Sequence, residues 1–445
     1  MMSTIIKREI SDYMKSSKFL IGLGITVFLI TISTLINLHD FKKRHQDYID
    51  AKEYSKKETF YVKVYKPPQP LSILVQEKDR KLGNQIEMTY LKIQSRPSGY
   101  MGEYTSQHLR YMSGFEAIDF SFIVRIVLSL MVIFLTYNAI SEEKFMGTLR
   151  LVLANQLPRD QLILGKFFGG LFVIGTSLII STLITVIIIV LHPSISLSSQ
   201  DWIRFLGIIG VSALYLICFF TLSLFISVMV NRPFIALMIL LQIWIFLVVI
   251  YPNLSVILAE NFYELPSEKE IRAQKEAAFK PYEEEFQKNQ RAFHEAVEKA
   301  KRVPKEIGLK NVELWSIRAE KNYQIDVEFG NKLTTQSKLA TTIAFLSPSV
   351  LYQNTVSRFA RTDLSELDRF MDGVYRHWKK LVERSKLRWI DRQAYRRFKL
   401  PEFTYKSESI GESLLATLPY LIILFLFSLI FFILSYLTFL KKDVR

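Results

Sequence analysis

About six long apolar runs constrain this chain more than any other feature in it. A helix needs about 20 apolar residues to cross roughly 30 Å of hydrocarbon, because each backbone amide there must find its partner within the same segment. Residues 18–38, 120–140, 162–191, 202–230, 234–252 and 414–440 satisfy that with almost no charge. Hydrophobic residues make up 50% of the 445 positions and are gathered in these blocks, so the expected fold is an α-helical integral membrane protein with about six transmembrane helices. Lys7, Arg8, Lys15 and Lys18 precede the first run and no small-residue cleavage pattern follows it, which reads as an uncleaved anchor.

Short loops set orientation, since translocating Lys and Arg is disfavoured. The cations of 1–17, 141–161, 231–233 and 441–445 all fall on one side, read as the cytoplasm, and the loop 192–201 carries none. Residues 39–119 and 253–413 are then two external domains. In the first, alternation over 61–65, further runs at 71–75 and 86–93, and turn signals at Pro67-Pro68, Pro70 and Gly83-Asn84 predict a small mixed α/β domain with a strand core. In the second, Phe279, Phe286, Phe293 and Ala300 recur one heptad apart, and Val312, Trp315, Ala319, Tyr323 and Val327 resume a helical stripe beyond Pro304. That pattern predicts a helical hairpin, with Pro281 kinking or starting its first helix. A third stripe, Leu367, Phe370, Val374, Trp378 and Leu381, runs into the cationic stretch 376–399, which suits anionic lipid headgroups, an acidic cargo or plain solvation.

Several kinds of chemistry are excluded. The single cysteine, Cys218, lies within an apolar run, and the six histidines show no paired spacing, so neither disulfide nor metal centre is expected. No phosphate-cradling glycine loop is present, so no nucleotide site is expected on this chain, and an energy source, if there is one, must be another chain. Nucleic-acid binding is not expected, as the aromatics beside the basic stretch suit a core. Two arginines inside the runs, Arg125 and Arg204, read as snorkelling outward.

Between the second and third runs lies Glu142-Glu143-Lys144-Phe145-Met146-Gly147-Thr148-Leu149-Arg150, followed by Leu157-Pro158-Arg159 and Gly165-Lys166. Glu142 and Glu143 would end the second span, Gly147 would permit a tight turn, and Leu149, Leu151, Val152 and Leu153 would form an apolar ridge too greasy to stay unpaired in water. Lys166 reads as snorkelling to the inner headgroups. Residues 1–17 place Ile5, Ile6, Ile10, Tyr13 and Met14 on one helical face with Lys7, Arg8, Glu9 and Asp12 mostly on the other, a helix lying in the membrane interface.

The acidic pair, the Gly-Thr-Leu and the Gly-Lys resemble the permease subunit of the ABC-2 superfamily of ATP-driven exporters. The segments 66–72 and 346–349 resemble a branch with large inserts between the first two and the last two spans. The resemblance implies a non-catalytic permease of the bacterial cytoplasmic membrane with no cofactor of its own, exporting a substrate as a dimer with an identical or related permease and driven by a cytoplasmic ATPase dimer that carries ATP and Mg. It implies that the N-terminal helix and Glu142, Glu143, Gly147, Thr148, Leu149, Arg150, Leu153 and Arg159 form the ATPase-coupling surface. It also implies a pathway lined by the second and fifth spans, for which Thr136, Asn138, Gln242 and Trp244 are the candidates, each equally suited to interhelical hydrogen bonding. The branch has no uniform substrate, and the alternative is a transmitter whose external domains act on an extracytoplasmic protein partner without moving a solute.

Overall fold

The computed structural model describes residues 2–55, 62–76, 85–93, 118–154, 158–192, 195–299 and 302–441. Tyr61, Gly83 and Asn84, Leu157, Ala300 and the tail beyond Lys441 lie outside the described residues. Among the described residues, six helices are long and apolar enough to cross a membrane: Ser17–Asp50, Phe120–Phe145, Arg159–Val190, Ser199–Met229, Pro233–Phe262 and Ile410–Lys441. They are the first to sixth spans here, and the chain is a multi-pass helical membrane protein.

The first helix does not stop where hydropathy falls. It continues to Ser55, helped by the Asp40–Arg44 ion pair at 3.0 Å and the stacking of Phe41 on His45, both one turn apart. The second and fifth spans each contain a widened π-turn, at Ile123–Leu128 and Phe246–Ile250. In the fifth span the cause is Pro252, which has no N–H to offer the carbonyls a turn below it. The freed Leu247 carbonyl accepts instead from the Ser347 hydroxyl at 2.6 Å. In the second span the Arg125 carbonyl accepts from the Ser129 and Tyr215 hydroxyls, at 2.5 and 2.9 Å.

Beyond the spans, α1 (Met2–Met14) lies at one end of the bundle and a lobe at the other. The lobe holds β1 (Val62–Tyr65), β2 (Gln85–Thr89) and β3 (Lys92–Ile93), antiparallel in the order β1-β2-β3. The loop after the second span, at the end opposite the lobe, holds the short helices α2 (Ser141–Phe145) and α3 (Thr148–Ala154), and the lobe's own helices are α4 (Glu268–Phe279), α5 (Glu283–Glu298), α6 (Lys305–Ile343), α7 (Pro348–Ala360), α8 (Leu364–Ile390) and the short α9 (Arg392–Arg397). Pro281 sits in a 3₁₀ turn that separates α4 from α5.

The two long segments do not form separate cores. Val64, Ile86, Met88 and Ile93 of the sheet pack with Ala319 and Tyr323 of α6 and with Phe370, Val374 and Trp378 of α8. A single sheet must bury its apolar face against another element, and the Trp378 indole N–H donates to the Thr89 carbonyl at 2.9 Å. Helix α7 is drawn into the core of the spans, with Leu351, Tyr352, Val356 and Phe359 all buried there.

Candidate functional site

After Thr136 the second span breaks into a turn and resumes as α2 (Ser141–Phe145), which leaves the backbone N–H groups of Ile140 and Ser141 without helical acceptors. The Ser227 hydroxyl of the fourth span accepts both, at 3.0 and 3.1 Å. Lys144 donates to the Val228 carbonyl at the end of that span. Gly147 then takes φ +75°, a left-handed conformation that ends α2 at no steric cost and lets α3 (Thr148–Ala154) start in a new direction.

Leu149 drops into a pocket of Ile140, Leu162, Ile163, Leu224, Val228 and Phe439 and is 2% exposed. The expected ridge is therefore split: Leu149 is an anchor rather than a surface residue, because its one apolar side chain fastens the loop to four spans. The side chains of Val152 and Leu153 lie outside the described residues. What remains on the surface is an apolar trio, Phe145, Met146 and Leu151, at 61%, 65% and 68% exposure, among the exposed Glu142, Thr148 and Arg150. Phe145 and Met146 were legible as apolar residues in a polar loop, but only the turn at Gly147 shows that they face outward. At the loop's far end Arg159 donates to the Leu440 carbonyl of the sixth span at 3.1 Å.

Lys166 does not snorkel. It is 4% exposed and lies 2.8 Å from Glu9 and 2.9 Å from Glu143. Its position follows from two glycines one turn apart on the third span: a Cβ on Gly165 would lie 2.6 Å from Ile5, and one on Gly169 would lie 2.7 Å from the Glu9 Cβ. With no side chains there, α1 packs directly on the span, as small residues permit between membrane helices. Glu9, expected on the polar face of α1, is thereby turned inward to the lysine. Tyr13 is buried beside this cluster, and burial with the adjacent Glu9 carboxylate holds its hydroxyl well above the usual tyrosine range.

The four pathway candidates meet different partners. Thr136 is buried with its hydroxyl 2.8 Å from that of Ser223, and the Trp244 indole N–H donates to Ser129 at 2.9 Å. Asn138 donates to Glu142, and Gln242 is exposed on the fifth span.

A buried ionic cluster at the opposite end of the spans escaped sequence reasoning. Arg204, 0% exposed, donates to the Phe359 and Glu408 carbonyls at 3.3 and 2.5 Å and to the Ser413 hydroxyl at 3.0 Å. Arg358 pairs with Glu408 at 2.5 Å, Arg361 with Asp201 at 2.6 Å, and Glu366 accepts the Glu408 N–H at 3.1 Å. Burial holds the Glu366 carboxyl above the usual range. Arg125 is likewise buried, with its guanidinium 5.9 Å from the Phe122 ring. Neither arginine reaches outward, since α7 and the start of the sixth span close over this end. The partners of Arg204 lie in segments far away in sequence, and only the capping box Ser198 to Asp201 gave a local signal.

Residues 3–444 match the family model for the ABC-2 family transporter protein. A search of curated proteins gave no match.

Proposed function

The chain belongs to the ABC-2 transporter family, and from that premise we propose that it is a permease subunit that couples ATP hydrolysis by a separate cytoplasmic ATPase dimer to export of a substrate. It would act in the bacterial cytoplasmic membrane, with both termini inside and paired with a second copy or a related permease.

The observation that carries this reading is the fastening of α1, the loop after the second span and the third span through Lys166, beneath a surface that presents Phe145, Met146 and Leu151. An unpaired apolar trio on a braced, sharply turned segment suits insertion into a groove on a partner, and the bracing would carry the partner's movement into the spans. Met146→Glu combined with Leu151→Glu should abolish stimulation of the co-expressed ATPase while the permease still purifies as a folded membrane protein. Full stimulation by that variant would overturn the proposal.

A second reading, transmission to an extracytoplasmic partner without transport, is favoured by the ties between lobe and spans at Arg204 and Leu247. Substrate accumulation by inside-out vesicles driven by ATP would support export, and ATP-dependent lobe movement without accumulation would support transmission.

A further inference from the structure

We infer that the far end of the lobe is a docking surface for an acidic segment of an extracytoplasmic protein. Arg376, Lys380, Arg384 and Arg388 recur every fourth residue on α8, and Arg392 and Arg396 continue the series on α9. The Arg384 guanidinium lies 5.2 Å from the Tyr395 ring, so α9 folds back beside α8 and brings its two arginines to the same end. Like charges one turn apart repel, at about 0.2–0.5 kcal/mol per pair. None of the six is relieved by an ion pair among the described residues.

The helices that carry this end are long enough to set it beyond the headgroups of the membrane that holds the chain. Glu366 at the foot of α8 is bonded to Glu408 beside the start of the sixth span, and Arg388 lies ~33 Å further along the helix at 1.5 Å per residue. An independent ruler agrees. Ile343 at the foot of α6 accepts from Tyr251 of the fifth span, and Gly308 lies ~52 Å up α6. Trp389 packs against Gly308, where a Cβ would lie 2.2 Å from its ring. Headgroups extend only about 5–8 Å beyond the hydrocarbon.

A protein fits better than a uniform polyanion. Exposed Glu383 and Asp391 interrupt the cations and Ile390 is exposed among them, so the surface is discrete in charge and partly apolar. Arginine-rich, partly apolar surfaces are typical of protein interfaces, and the guanidinium fork matches a carboxylate in two hydrogen bonds. The inference rests on the orientation proposed above for its cellular setting, but the binding itself does not.

The test uses the full chain in phosphatidylcholine nanodiscs and needs neither ATPase nor orientation. A fluorescent glutamate-rich peptide should bind at low salt, more tightly than duplex DNA of matched charge. Arg388→Glu with Arg392→Glu and Arg396→Glu should weaken it about tenfold or more, and the three Arg→Gln changes should cause an intermediate loss. Lys269→Glu with Arg272→Glu, exposed cations at the start of α4, which meets α6 far from this end through the Lys275–Asp326 pair, should leave it unchanged. Absence of peptide binding, binding insensitive to the tip changes, or preference for phosphatidylglycerol vesicles or DNA would overturn the assignment. Thermal melting of both tip variants separates lost binding from lost folding.

Discussion

The Lys166 ammonium lies 2.9 Å from the Glu143 carboxylate inside an otherwise apolar interface. Glu143 and its neighbour Glu142 are therefore not equivalent: the first is half-buried against a lysine and the second is exposed. Glu143→Gln leaves Lys166 with Glu9 alone, and removing one member of a partly buried ionic group costs about 1–3 kcal/mol. The loop should loosen, seen as faster proteolysis after α2 and weaker ATPase stimulation. Glu142→Gln should change stability by less than about 0.5 kcal/mol. Equal effects of the two substitutions would show that the Lys166 contact does not position the loop.

The seat of α1 depends on two missing side chains. Gly165→Leu or Gly169→Leu would place atoms where Ile5 and Glu9 now lie, so the helix must lift away and Lys166 must lose Glu9. Either change should expose residue 5 to solvent. An Ile5→Cys probe is suitable, because the native Cys218 is buried. Its labelling by a soluble maleimide should rise at least several-fold in the leucine variants, and unchanged protection would rule out this packing.

These two sites show what could be read from the sequence and what could not. The spans were legible because hydrocarbon thickness fixes the length of an apolar run, and the polar loop was legible because Glu142 to Arg150 interrupts two such runs. Lys166 and Arg204 were misread for one reason: a cation near the end of a run reaches the headgroups unless another segment covers it, and the covering segments, α1 and α7, lie far away in sequence. The common core of the lobe was hidden likewise, since β1 and α8 are joined only in space, through contacts such as that of Trp378 with Thr89. Pro252 was visible as a helix breaker, but the serine that accommodates it was not.

That serine allows a double-mutant test. Ser347→Ala leaves the Leu247 carbonyl only the longer, 3.5 Å contact with the Ser349 hydroxyl, at a cost of about 1 kcal/mol. Pro252→Ala restores an N–H below which the helix can return to regular geometry, so Leu247 no longer needs an outside donor. Ser347→Ala should then cost distinctly less in the Pro252→Ala background than alone, a coupling of about 1 kcal/mol measurable from thermal or detergent unfolding. Strict additivity would show that the serine and the proline act independently.

On α8 the shifts of Asp368 and His377 oppose each other. Burial, aided by repulsion from Asp372 and Asp363, raises the Asp368 carboxyl from 3.8 to about 6. The folded chain then binds more protons than the unfolded chain across that window, so stability falls as pH rises through it and stays lower above it. Burial, with Lys380 nearby, lowers His377 from 6.5 to about 4. Here the unfolded chain binds more protons, so stability falls as pH drops from 6.5 towards 4. Over most of that range the two slopes cancel. Asp368→Asn removes the first, so the variant should gain on the order of 1 kcal/mol at neutral pH, once solvent screening is allowed for. On acidification it should then lose stability more steeply than the native chain. Melting of the lobe monitored by tryptophan fluorescence at about pH 5 and about pH 7.5 distinguishes the two profiles, and a variant with the native profile would show that Asp368 is not held protonated by its surroundings.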